Sequence, residues 1–205
     1  MSGHRNLAIL LFSCFILLNS SCAPTEDEVI TADNVEREGS PGVFLDSAVA
    51  GVDYSTNSGL GGVTDSSGRF YYNPGDQVSF TIGGISLGSV TGAAKLTPVE
   101  VMGASGTADQ KVINLSRLLQ TLDADGDPSN GISISDATKT TLAAKSVNFD
   151  VSVDAFDNAT AAVTSAVGKT MISAATAIAH LHTTMKQQGL DSKIDNDTAL
   201  KNLGS

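Results

Sequence analysis

Hydrophobic positions along the chain change their spacing at three places. Leu7 to Leu18 is an apolar run broken only by Ser13. Residues 23–42, APTEDEVITADNVEREGSPG, show no sustained apolar period. From Val43 the pattern alternates with period two, through Val43-Phe44-Leu45, Val49–Tyr54, Arg69-Phe70-Tyr71-Tyr72, Gln77–Ile82 and Ile85–Val90. Alternation of this kind places successive side chains on opposite faces of a strand. The runs are separated by turn chemistry. Thr64-Asp65-Ser66-Ser67-Gly68 and Asn73-Pro74-Gly75-Asp76 are turns, and Gly83-Gly84 predicts a two-residue hairpin. Six or seven short antiparallel strands over 43–98 predict a small β-sandwich.

After Thr97-Pro98 the apolar spacing becomes helical. Val112, Leu115, Leu119 and Leu122 form one stripe, widened by Ile113 and Leu118. Thr107, three residues before Gln110, reads as the capping box of this helix. Ser135 or Asp136 caps a second helix running to about Lys145. A third starts near Val153–Asp154 and stops at Gly168. Ser173 caps a last helix whose stripe is Ala174, Ile178, Leu181 and Met185 and which ends at Gly189. The expected fold class is therefore α+β: a small antiparallel β-sandwich, 43–98, followed by a bundle of about four helices, 99–190. The polar stretch 191–205 reads as a flexible tail.

Composition narrows the function more than the fold. Hydrophobic residues are 41% of 205, enough for a sizeable core, while aromatics are 5% with no Trp. Twelve Lys and Arg against 22 Asp and Glu give a net charge of -10. Such a chain repels phosphate backbones, so nucleic acid is not an expected partner. Two cysteines and three histidines are too few for a Cys/His zinc site or a disulfide scaffold.

The N-terminus reads as a targeting segment. His4 and Arg5 precede the apolar run, which is too short to span a bilayer; small polar residues and Cys22 follow. This stretch, 1–21 with Cys22, resembles a bacterial lipoprotein signal. Asn19 stands where that family usually has Leu, with Leu18 one place further back. The resemblance implies a diacylated Cys22 as the mature N-terminus. Ala23 after it implies the outer membrane of the cell envelope, with the lipid anchor in the membrane. The alternative is a plain signal-peptidase site after Ser21 or Ala23, with Cys22 incidental. Cleavage before Cys22 also removes Cys14, and the remaining thiol has no internal partner, which favours lipidation. Residues 22–42, acidic and with Pro and Gly, read as a self-repelling tether.

Two further stretches carry a resemblance. Gly62, Thr64, Asp65, Gly68, Phe70 and Tyr72, followed by a Pro-Gly-Asp turn, are similar to the transthyretin-like or carboxypeptidase-regulatory-like sandwiches of bacterial surface proteins. INLSRLLQTLDADGDPSNGISIS and ISAATAIAHLHTTM resemble a segment of Gram-negative surface lipoproteins and adhesin-like chains. Together these cover about 43–188. They imply a spacer, stalk or binding module, with no catalytic residues to transfer.

The sharpest chemistry is the acidic loop. Asp123, Asp125 and Asp127 alternate, so a curled backbone turns three carboxylates toward one point, and hard oxygens at that density suit Ca²⁺. Asn130 and Ser129 offer further oxygens, and Asp136 closes the shell from the next helix. The loop departs from an EF-hand, because Pro128 and Ile134 occupy its Gly and Glu places. The plainer reading is a solvated turn after a helix. His180 and His182 lie about 200° apart on a helix and cannot chelate one metal together. No G-x-S-x-G occurs, and Gly168-Lys169-Thr170 lacks the upstream Gly of a phosphate-binding loop. The expectation is a membrane-anchored, non-catalytic adhesion or binding module, calcium-stabilised, for an extracellular-matrix or envelope partner. The alternatives are a metal-dependent enzyme accessory using the loop, or a periplasmic carrier with an apolar pocket between the two halves.

Overall fold

The computed structural model describes residues 39–195. The signal segment, Cys22, the tether up to residue 38 and the tail from residue 196 lie outside the described residues.

The fold is α+β. Eight strands come first: β1 Ser40–Phe44, β2 Val49–Ala50, β3 Asp53–Thr56, β4 Gly61–Val63, β5 Arg69–Tyr72, β6 Gln77–Ile82, β7 Ile85–Thr91 and β8 Lys95–Leu96. The two larger of three sheets have the orders β5-β1-β8 and β4-β3-β6-β7. Their inner faces meet through aromatic rings. Phe44 stacks on Phe80 at 4.9 Å between centroids, and Phe70 meets Phe80 edge-on at 5.3 Å. Alternation in β6 buries Val78, Phe80 and Ile82 on this inner side, and each such burial contributes about 1.5–3 kcal/mol.

Most of the ladders are antiparallel, as the alternating runs and short turns require. Two short ladders are parallel. β8 returns beside β1, pairing Val43 with Lys95 and Phe44 with Leu96. A ninth strand, β9 Ile132–Ser133, comes from the helical half and pairs with β2, Val49 opposite Ile132. That ladder fixes Gly51: with φ at +82°, a Cβ there would stand 2.0 Å from the Ile134 carbonyl oxygen. The β6–β7 hairpin turns at Gly83-Gly84 as expected, and Gly83, at φ +59°, packs against the Lys139 carbonyl.

Five helices follow the strands: α1 Pro98–Val101, α2 Gln110–Leu122, α3 Asp136–Thr141, α4 Val153–Val167 and α5 Ala174–Gln187. The caps are mostly those the sequence predicts. Ser135 and Ser173 accept amides at the starts of α3 and α5, and Gly168 closes α4 in the left-handed region at φ +67°. The first long helix differs. Asp109, not Thr107, caps α2 by accepting the Lys111 amide at 2.8 Å. Thr107 is engaged elsewhere: its hydroxyl bonds His182 Nε2 at 2.8 Å and accepts the Asp195 amide at 3.0 Å. The same contact organises the start of the segment expected to be a free tail. Asp195 also accepts the Ala108 amide, and Lys193 pairs with Glu100, so residues 191–195 are held against the fold.

α2 is buried on every side, not only along its apolar stripe. Asn114, Ser116, Arg117, Gln120 and Thr121 lie inside with the leucines. Buried polar groups need partners, and Asn114 and Arg117 find theirs largely on neighbouring backbone. Asn114 Nδ2 donates to the carbonyls of Phe149 and Val151, both at 3.0 Å. Arg117 donates to the carbonyls of Ile172 and Val153 and pairs with Asp157. One apolar cluster runs from Phe44, Phe70 and Phe80 through Leu115, Leu118 and Leu122 to Phe156, so the sheets and helices share a core.

Candidate functional site

The acidic loop leaves α2 at Asp123, where the backbone turns extended at ψ 133°. Asp123 is 1% exposed. Its Oδ1 accepts the Ser133 amide at 2.8 Å, while its Oδ2 is buried. The Asp125 carboxylate lies beside it but faces solvent, and accepts the Asp127 amide at 2.9 Å and Asn130 Nδ2 at 3.0 Å. Asp127 caps the short 3-10 turn Pro128–Asn130 through the Ser129 amide and hydroxyl. Asp136 stands at the start of α3, where it pairs with Lys139 at 3.1 Å. The structure thus gathers Asp123, Asp125 and Asn130, gives Asp127 a capping role, and commits Asp136 to a lysine. Among the described residues, no three His, Cys, Asp or Glu side chains converge as a metal-binding group.

Charge in the loop is uneven. Burial raises the Asp123 carboxyl above its ordinary range, against the Ser133 amide; its hydrogen bond to the Asp125 carboxylate and then the Asp125 charge add to the rise, and Lys169 opposes it. Asp125 is held below its ordinary range, chiefly by Asn130 and then by the Asp127 amide. Lys169, which the sequence offers only within a fragment that falls short of a phosphate-binding loop, donates to the main-chain carbonyls of Asp123 and Ala124.

A second cluster sits at the turn after β1, where Leu45 bridges to Ala48. Asp46 has no exposed surface. Gln120 Nε2 donates to both of its oxygens at 3.1 Å and to the Ala177 carbonyl at 3.0 Å. All three partners are acceptors, which fixes the amide's orientation. Burial pushes the Asp46 carboxyl up to about 7, against the lowering effect of Gln120. Ser47 is the one non-glycine residue with positive φ among those described, at 60°. Its amide donates to Thr184 Oγ1 at 3.2 Å, and its hydroxyl bonds His180 Nε2 at 3.0 Å. Burial lowers the His180 pKa, partly offset by the Asp46 carbonyl. Asp-Ser between alternating runs signals a turn. Neither the burial of Asp46 nor the strain at Ser47 has a local signature.

Both clusters border one cleft of about 530 Å³. Val43, Leu45 and Ser47 form one side. Ser129, Asn130 and Gly131 of the acidic loop form another, and Thr184, Gln187 and Gln188 at the end of α5 close it. Lys95 lies at the rim, its Nζ bonded to the Gln188 carbonyl at 2.9 Å. The carrier alternative requires an apolar pocket between the halves; this cleft is mixed in lining, with hydroxyls and amides beside Val43 and Leu45.

The fold and this cleft define an α+β protein with a polar groove where the first sheet, the acidic loop and α5 meet. No family model, curated protein or solved structure matches the chain.

Proposed function

We propose that the protein is a lipid-anchored component of the bacterial cell envelope, held at the outer membrane through Cys22, whose compact unit is a non-catalytic binding or adhesion module. The observation that carries the anchoring is the sequence itself: a basic start, a short apolar run, small polar residues and one following cysteine with no internal partner. The binding role rests on the cleft. Its volume falls within the range of about 300–1,000 Å³ typical of small-molecule sites. Serine hydroxyls and Asn and Gln amides on its walls suit a neutral, hydroxyl-rich ligand such as a saccharide on an envelope or matrix partner.

Binding is favoured over hydrolysis by the setting of the Ser47–His180 pair. The Ser47 amide is already given to Thr184. Among the described residues no carboxylate hydrogen-bonds the His180 ring, so the imidazole lacks the orienting group of a triad.

Intact-mass measurement of the protein extracted from membranes tests the anchor. The expected result is a chain beginning at Cys22 and carrying acyl groups, with Cys22→Ser moving to the aqueous fraction. An unmodified chain free in the medium overturns the reading. Glycan-array binding of the purified protein, lost in Asn130→Ala, tests the cleft.

A further inference from the structure

We infer that the turn Leu45–Ala48 is a proton-held wall of the cleft, seated against α5 while the Asp46 carboxyl carries its proton and freed to swing out when that proton is lost. The inference deepens the reading of the cleft as a binding site and rests on it, adding how that site is regulated. Leu45, Ser47 and Ala48 line the cleft, and the Asp46 side chain is sealed behind them with no exposed surface. Its donors are the Gln120 amide, 3.1 Å from each oxygen, and the Ser116 hydroxyl, both neutral. The titratable groups facing this turn are His180 on α5, which bonds the Asp46 main-chain carbonyl, and beyond it Asp127 of the acidic loop. Neither offers a compensating positive charge, because burial lowers the His180 pKa and Asp127 is an acid. Arg117, the α2 residue next to Ser116, is committed to the carbonyls of Ile172 and Val153 and to Asp157. A carboxylate closed off from water without a cation is costly, so the seated turn favours the protonated acid.

The same turn carries backbone strain. Ser47 sits in the left-handed region at φ 60°, a conformation that a residue with a side chain keeps only where its surroundings impose it. Here α5 imposes it, through Thr184 Oγ1 on the Ser47 amide at 3.2 Å and His180 Nε2 on the hydroxyl at 3.0 Å. The ends of the turn are fixed differently. The Leu45 amide donates to the Leu96 carbonyl, and the Ala48 carbonyl accepts the Ile132 amide. Those two residues are therefore the hinges, and Asp46-Ser47 is the part that moves. Opening toward the cleft brings the Asp46 carboxyl to water, where it ionises and gives its proton to solvent. Protons thus favour the seated turn, and opening becomes easier as pH rises from about 4 to about 7, by up to about tenfold per unit, and then levels off.

The test is amide hydrogen exchange of the purified full chain at pH 5 and pH 8, corrected for intrinsic base catalysis. The Ser47 amide should exchange through a local opening, faster than the amides of β6, and that opening should rise by about 10–100-fold from pH 5 to pH 8. In Asp46→Asn, where no charge can form, the rise should vanish; a rise that persists there overturns the inference. So does a Ser47 amide that exchanges no faster than β6, because the turn then opens only with the whole unit, or one that opens equally at both pH values. These two wild-type results decide the matter even if Asp46→Asn does not fold. A glycan retained on the array at pH 5 should bind more weakly at pH 8, and equal binding at both would overturn the regulation of the cleft by this turn. An array with no bound glycan at either pH overturns the saccharide reading instead, and the exchange result still decides whether the turn is held by a proton.

Discussion

A carboxyl group sealed from water holds its charge against desolvation, and Asp46 is the extreme case in this chain. In the fold it titrates at about 7, against an ordinary value of 3.8. Between those values the folded state binds a proton that the unfolded state has released, so stability falls as pH rises from about 4 to about 7. The gap corresponds to roughly 4 kcal/mol at about 1.36 kcal/mol per pH unit. His180 acts in the opposite direction. Burial disfavours its charged form, so its share of stability is lost as pH falls below the ordinary value of 6.5. Asp46→Asn removes only the first effect and keeps an acceptor for Gln120. Urea denaturation at pH 5 and pH 8 should show the variant gaining on the wild type by about 1–2.5 kcal/mol between the two. An unchanging difference would mean that Asp46 stays ionised throughout. Ser47 belongs to the same turn: a left-handed backbone is held in place by bonds to two residues of α5, Thr184 and His180.

At the level of elements, α2 organises the molecule by giving its polar side chains to the first turns of α4 and α5 and to the loops that lead into them. Asn114 is the clearest instance, holding the 149–151 stretch that leads into α4. Asn114→Ala orphans two carbonyls and should cost about 1–3 kcal/mol. Limited proteolysis should then open the 146–152 segment before any strand; equal resistance in the variant would contradict this role. The elements legible in the sequence are those whose evidence is local. The α5 stripe Ala174, Ile178, Leu181 and Met185 is buried as its spacing requires, and Ser135, Ser173 and Gly168 cap where they should. The start of α2 was misread because Thr107, a sound local cap, is used by His182 and Asp195, residues far along the chain. β9 was invisible because a two-residue parallel ladder leaves no period, only a distant partner in β2. The acidic loop was legible as chemistry, yet alternation says nothing of which carboxylate is buried. Asp123 is covered, Asp125 is exposed, and Asp136 is on another element with Lys139.

For the whole molecule, the shared core makes a simple demand. All three tyrosines, Tyr54, Tyr71 and Tyr72, lie in the strand half, and the chain has no Trp. Tyrosine fluorescence therefore follows the sheets, while the far-ultraviolet helical signal follows α2 to α5. Because Phe80, Leu118 and Phe156 belong to one cluster, the two signals should change together in denaturant. Separate midpoints would show that the halves are independent. The position of β1 has a mechanical consequence. It is the first described strand, and it is bonded on both edges, antiparallel to β5 and parallel to β8. Ladder hydrogen bonds run across the strand direction. A pull delivered along the chain from its N-terminal side would load both ladders in shear, so many bonds would have to break together. An arrangement of that kind would let the unit withstand drag at a surface without peeling open one bond at a time.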